Sequence, residues 1–515
     1  MMKFSSGKGG NVMKKFLSTI FAGLLFGMML FPFAACSEVD ESSITEVKEL
    51  RFDIQVNYVA EPQTKAVKVA WEAGDKMYVF FREGSTNYLD ATKYVILTYN
   101  GTSWDGAASP ALTDASELGS SGRMYGIYFP YGDVRIASDG DNGVTFRTKH
   151  TNPALDNLPI YTYYAYGRTN YSISTLGDVA TLAGSIDLSV PADYVYFFVD
   201  KSGSDYCVDD KYRLAVEGVC PVACTSFKNG SFFESDMNGK YMGQPMWGYK
   251  YGDNGIAFTG KIDNSWTIGT SHKFTFFSDG DPAMSRTMVI SDETPMKSHV
   301  TVNLRAPIAA NGWAQAVPTP STTTLNGVKW ADWNLGASNV SELGYYLQWG
   351  VLVVPKDYNK NNVLISGIGS NSLTGNYAIY DAARAYLGSP WRMPTKSELA
   401  GLGSITDDNW IPVGNTTIQV GPTGTEFTPS PTLKNGGWKV EKNGASIFLP
   451  VCGFYDKVDT LNEIYENHST GCYWSSNADA SYLHFYNIPS GSKWANTATP
   501  GYREFGMQIR PIKGE

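Results

Sequence analysis

Chemistry-bearing residues are sparse in this chain. The five histidines, His150, His272, His299, His468 and His484, are scattered with no His-x-x-x-His spacing. His484, in the strand-like Tyr482-Leu483-His484-Phe485, reads as structural. No Gly-x-Ser-x-Gly elbow, phosphate loop or carboxylate pair stands out, so an enzyme is not expected. Cys220-Pro221-Val222-Ala223-Cys224 lacks the second cysteine or histidine pair that would complete a zinc site. No metal or cofactor is therefore expected. Recognition chemistry falls to Trp330, Trp333, Trp349, Trp391 and Trp474, whose faces are able to stack on sugars. Tryptophan more often fills a core, and both readings stand at this point.

An export segment must place whatever these residues do. Met13-Lys14-Lys15 precedes an apolar run from Phe16 to Ala35, ending Phe33-Ala34-Ala35-Cys36. Two lysines, a hydrophobic stretch and small residues before a cleavage point make a secretory signal, with Met13 as its start. Pro32 and the Ala-Ala-Cys ending argue against a membrane-spanning helix. The segment resembles a bacterial lipoprotein signal, with Phe33 where such signals usually have Leu. That resemblance implies lipidation of Cys36 and an outer-membrane anchor. The following Ser37-Glu38-Val39-Asp40-Glu41 is an acidic tether similar to the surface-export signal of certain Gram-negative lipoproteins. Five cysteines then remain, Cys207, Cys220, Cys224, Cys452 and Cys472, an odd number that leaves open either one or two bridges or buried free thiols.

With 515 residues, three to four domains are expected, and 43% hydrophobic content is enough for several cores. Charged residues make up only 18%, while Gly (52) and Tyr (32) are abundant, a texture of short strands and many turns. A formal net charge of −9 excludes a nucleic-acid partner, which needs a basic footprint. From Leu50, apolar Leu50, Phe52, Ile54, Val56 and Tyr58 alternate with polar Arg51, Asp53, Gln55 and Asn57, the pattern of a half-buried strand. Pro62 opens a loop through Lys65-Ala66, and Val67, Val69 and Trp71 resume the alternation. Further strands are expected at 77–81, 94–99 (turning at Asn100-Gly101 toward Trp104), 124–129, 159–165, 194–199, 274–277, 288–290 and 300–304. No helical stripe of length precedes residue 370, so the fold class is mainly β, with sandwiches as the natural architecture.

The order of these pieces carries a resemblance. The strand at 50–58, Lys65-Ala66, then Trp71-Glu72-Ala73-Gly74-Asp75-Lys76-Met77-Tyr78-Val79, with Tyr125-Gly126-Ile127-Tyr128-Phe129-Pro130-Tyr131 and Leu158-Pro159-Ile160-Tyr161, is similar to the fimbrillin family of pilus subunits. The resemblance implies two tandem transthyretin-like β-sandwiches, at 66–190 and 191–305, after a signal peptide (1–35) and a tether with a removable first strand (36–65). It also implies proteolytic processing between Lys65 and Ala66, loss of that strand, and partnership with other pilus subunits by donor-strand exchange. The family usually has Arg where this chain has Lys65. If that loop is not cut, the protein stays lipid-anchored.

A linker rich in Pro, Thr and Ala, 306–325, reads as a semi-rigid spacer. Beyond it, Val328-Lys329-Trp330-Ala331-Asp332-Trp333, Trp391-Arg392-Met393-Pro394-Thr395 and Tyr473-Trp474-Ser475-Ser476 fall in an order similar to the major paralogous domain of bacterial surface proteins. That resemblance implies an α+β, C-type-lectin-like domain over 326–515. Residues 380–386 read as a short helix, and Thr395 to Glu398 forms a capping box that should start another. The triplets of calcium-dependent sugar binding are absent. Together the resemblances imply a pilus subunit at the fimbrial tip, presenting an adhesive domain to a glycan or other cell-surface ligand. The alternative is an outer-membrane glycan-binding lipoprotein.

Overall fold

The computed structural model describes the chain between Glu49 and Gly514 apart from several segments, the longest being 59–70, 149–163, 201–211, 290–299 and 355–367. Cys36, Lys65, Ala66, Cys207 and residues 159–163 of the strand expected at 159–165 lie outside the described residues. Among the described residues the protein is mainly β, with many small sheets and only short helices.

The first set of strands is β1 (Glu49–Tyr58), β2 (Lys76–Glu83), β3 (Asn87–Tyr88), β4 (Tyr94–Tyr99), β5 (Trp104–Ala108), β6 (Ser121–Tyr128), β7 (Val134–Ser138), β8 (Gly143–Thr148), β9 (Ala165–Leu176) and β10 (Val179–Leu188). Eight of them form one sheet in the order β1-β10-β9-β6-β2-β4-β5, with β3 on β2. β2 is buried on both faces and therefore reads as a nearly unbroken apolar run. Met77, Val79 and Phe81 enter one core with Ile54, Val56, Leu97 and Trp104. Tyr78 and Phe80 enter a second with Phe146 and Phe227. Residues from both edge strands meet in the first core because the sheet curls. A Cβ on Gly106 of β5 would come within 2.6 Å of the Phe52 ring of β1.

The next strands are β11 (Tyr194–Asp200), β12 (Tyr212–Val216), β13 (Val219–Pro221), β14 (Cys224–Lys228), β15 (Ser231–Glu234), β16 (Met246–Trp247), β17 (Tyr249–Tyr251), β18 (Gly255–Ile262), β19 (Ser271–Ser278), β20 (Met284–Val289) and β21 (Val300–Asn303). Two sheets, β13-β18-β11-β21 and β16-β12-β19-β20, enclose Phe197, Leu214, Met246, Phe258, Phe274 and Phe276. The hairpin β14–β15 leaves this stack, and β14 pairs with β8, completing the sheet β15-β14-β8-β7 over the second core. β13 lies in the second stack and β14 over the second core. Cys220 stays beside the second stack while Cys224 is buried in the core with Phe80 and Phe146.

The stretch read as a spacer is not one over its described part. Trp313 is 1% exposed inside the second stack, β22 (Ala314–Gln315) pairs with β20, and Val317 enters the core of the next module. Its Pro and Thr content suggested an exposed connector, but one tryptophan and one valine bind it on both sides. The carboxy-terminal module begins with β23 (Thr322–Leu325) and β24 (Val328–Ala331), followed by helix α1 (Ala382–Leu387), β25 (Trp391–Arg392) and helix α2 (Lys396–Ala400). Two three-stranded sheets follow, one of 410–411, 437–442 and 445–450, the other of 470–474, 481–487 and 493–500. The strand at 512–513 lies between β24 and β25. The helix expected at 380–386 is split. A 3-10 turn runs Gly375–Tyr380, then Asp381 caps α1 by accepting from Arg384 N.

The second stack and this module share a core, in which Phe277 and Ala283 pack with Trp349, Tyr386 and Leu387. Ala283 N donates to Tyr386 O (3.1 Å) and Ser389 N to Gly280 O (2.8 Å). Arg213 of β12, 3% exposed, donates to Ile379 O at 2.5 Å between the rings of Trp247 and Phe277. Burial brings its guanidinium down to about 10, with Tyr380 and Asp279 opposing that fall. Truncating a core phenylalanine costs about 3–5 kcal/mol. Phe277→Ala is expected to lower, in one transition, the melting followed by near-ultraviolet dichroism and that followed by tryptophan fluorescence. Two separated transitions would show that the modules unfold independently.

Candidate functional site

Strand β1 is the first candidate site, because among the described residues it is an edge strand paired at one side only. It runs parallel to β10, in register from Glu49 opposite Val179 to Tyr58 opposite Leu188. Parallel neighbours need a long crossover between them, and here β10 follows more than a hundred residues after β1. Ile54 (4% exposed) and Val56 (8%) are buried and Leu50 and Phe52 half-buried, whereas Arg51, Asp53, Gln55 and Asn57 face solvent. The alternation expected at 50–58 is thus present. Asn57 Nδ2 donates to Ser185 Oγ (3.0 Å) and Asp187 Oδ1 (2.9 Å), fastening one end of the ladder. Taking β1 away would free the outer backbone edge of β10 and uncover Leu182 and Ile186.

The five tryptophans do not form a platform. Trp330, Trp349, Trp391 and Trp474 are 1%, 0%, 4% and 0% exposed, and Trp333 is half-buried. Trp349 Nε1 donates to Ser475 O (2.9 Å) and Trp474 Nε1 to Leu347 O (2.7 Å), while the Arg503 guanidinium covers Trp349 at 4.4 Å. Of the two sequence readings, the core is the one these four follow. A buried indole is best served by a large apolar slot and a partner for its N–H, and for Trp349 and Trp474 the carbonyls of Ser475 and Leu347 are those partners.

The sequence blocks around them are fasteners. Arg392 grips Glu398 with Nη1–Oε2 at 2.9 Å and Nη2–Oε1 at 2.6 Å. Glu398 also closes the expected capping box, with Thr395 as N-cap of α2. Ser476 N donates to Pro394 O (2.8 Å) and Lys396 N to Asn477 Oδ1 (2.7 Å), so the Trp-Arg-Met-Pro-Thr and Tyr-Trp-Ser-Ser blocks are stitched to each other. Asp381, 1% exposed, also accepts from Met393 N (2.8 Å). Burial pushes its carboxyl up to about 6, with the backbone donors opposing.

Cys220, Cys224, Cys452 and Cys472 are buried free thiols. Cys452 Sγ accepts from Cys472 N (3.3 Å), and burial pushes its thiol up to about 12, far from a nucleophile at neutral pH. No group of three or more His, Cys, Asp or Glu is placed to hold a metal among the described residues. Sequence reasoning missed Arg213, whose strand alternation gave no sign that another module would cover it.

No family profile and no curated protein matches this sequence. Among solved structures, the chain is similar to a fimbrial protein from Bacteroides ovatus, with 8% identity, 91% of this chain and 99% of that chain covered, and a TM-score of 0.24. It is also similar to the fimbrial anchor protein Mfa2 from Porphyromonas gingivalis, with 9% identity, 54% of this chain and 98% of that chain covered, and a TM-score of 0.20.

Two outcomes follow from this geometry. Asp381→Ala removes an N-cap and orphans the Met393 N–H, so a loss of about 1–3 kcal/mol is expected in chemical denaturation. Iodoacetamide at neutral pH is expected to leave Cys452 and Cys472 unmodified in the folded protein and to alkylate both once it is unfolded, as read by peptide mass mapping.

Proposed function

We propose that the protein is a cell-surface pilus subunit, assembled by strand exchange and placed at the tip, acting by binding and without catalysis. In this reading it is exported as a lipoprotein through Cys36 and cut between Lys65 and Ala66. The cut separates β1 from the body, because both residues lie in the connection after that strand. The observation that carries the reading is β1 itself, an edge strand with a polar outer face and an apolar inner row in the core. A donated strand from another subunit would take its place on β10, parallel and with apolar residues at alternate positions. Gly106 adds a requirement, since the hollow above it takes an aromatic residue where Phe52 now sits.

Tip placement draws support from the packed joint between the second stack and the carboxy-terminal module, since a rigid end presents a ligand-binding face without a swinging tether.

Lys65→Ala is expected to leave the subunit lipid-anchored and out of the polymer, seen as loss of its high-molecular-weight ladder on unheated gels. Incorporation at the wild-type level would refute strand release. Gold-labelled antibody against residues 326–515 is expected at fibre ends, and even labelling along the shaft would refute the tip assignment.

A further inference from the structure

The outward face of β12 and β19 carries three cross-strand steps of different size. Arg213 lies opposite Phe277 and Ala215 opposite Thr275, and Glu217 follows beside Lys273, its N–H donating to Lys273 O at 3.0 Å. The first step is roofed by the carboxy-terminal module. The second is small, and the third is exposed. Small residues between a filled step and a charged one leave a hollow, and it is there: a cleft of about 480 Å³ between the second stack and the carboxy-terminal module. Ala215 and Thr275 are among its lining residues, Glu217 and Lys273 sit at its exposed end, and Tyr345 and Tyr386 line it from the module opposite. Tyr345 is held in place on both sides. Its ring centroid is 5.4 Å from that of Tyr386, and it rests on Gly336 (φ +87°), where a Cβ would approach within 2.6 Å.

We infer that this cleft is a binding site for a neutral pyranose of a glycan. A pyranose has an apolar C–H face and a polar rim, and the cleft combines the partly exposed Tyr345 ring and several valines with the polar side chains of Glu217, Lys273, Thr275 and Gln244. Its volume lies within the roughly 300–1,000 Å³ of ligand pockets, which favour junctions between domains. A purely hydrocarbon ligand would leave the exposed, charged end of the cleft at Glu217 and Lys273 unmatched. An acidic ligand fits poorly too, since Glu217 stands beside Lys273, the one lysine of the lining among the described residues. Carboxylate and ammonium on neighbouring strands offer an acceptor next to a donor, the complement of two vicinal hydroxyls. Tyr345 supplies the stacking surface that the covered tryptophans do not. The inference deepens the adhesive reading above by naming its ligand class.

The test uses the full chain and saturation-transfer NMR with methyl glucoside, mannoside and galactoside and their neutral oligosaccharides, followed by calorimetry. Binding of at least one neutral pyranoside is expected, little changed by added salt. Glu217→Ala and Lys273→Ala, both at exposed positions, are each expected to weaken it by about tenfold or more with the melting temperature retained. Absence of pyranoside binding, binding untouched by both substitutions, or selection of glucuronate or alkyl carboxylates over neutral sugars would overturn the inference. Polymer incorporation of Glu217→Ala is measured alongside. Its retention with loss of sugar binding separates this site from strand exchange, and loss of incorporation together with binding would assign Glu217 to assembly and overturn the inference.

Discussion

The outer edge of β10 is the constraint on which the amino-terminal half depends. One side of that strand is satisfied by β9 and the other by β1 alone. A row of unpaired backbone groups beside a core is costly to leave open and ready to accept a strand. β1 closes two gaps at once. It completes the ladder on β10, and through Phe52 it closes the seam where the curled sheet brings β5 round to meet it. A fully buried Ile or Val contributes about 1.5–3 kcal/mol, so the buried pair Ile54 and Val56 makes β1 a stabilising plug that sequence-distant chain must hold in place. Whatever removes β1 therefore creates a demand for another strand of the same pattern.

The other half is governed by a joint. Arg213 is a buried cation with a carbonyl and two aromatic rings around it and, among the described residues, no carboxylate in contact. Such a group is tolerated only where it is fully wrapped, and the wrapping comes from two modules together. The cleft is the by-product of the same ladder of residues, one step further along β12. Rigidity and a ligand-sized hollow thus arise from one face of one sheet.

Much of this was legible in the sequence, and the rest was not, for reasons tied to particular residues. Period-two alternation located β1, and apolar runs located β4 and β11, each to within a residue, while the run at 274–277 falls inside β19, which begins three residues earlier, because each buries one face or lies in a core of β-branched and aromatic side chains. The capping box at Thr395 and Glu398 was readable because its chemistry is local. Pairing was not readable. Nothing within β1 points to β10 as its parallel partner, and nothing in Cys224–Lys228 shows that β14 leaves its own stack for β8. The spacer reading failed at Trp313 and Val317, since composition over a window averages away single residues that anchor a chain. The tryptophans' faces are covered by residues far away in the chain, Arg503 lying over Trp349 from more than 150 positions on, a distance that no motif encodes.

The mature amino-terminus of the protein in assembled fibres, read by mass spectrometry of material sheared from native cells, tests the release of β1 most directly. A chain beginning at Ala66, without residues 49–58, is the predicted result. A fibre-borne chain still beginning at lipidated Cys36 and carrying β1 would contradict it.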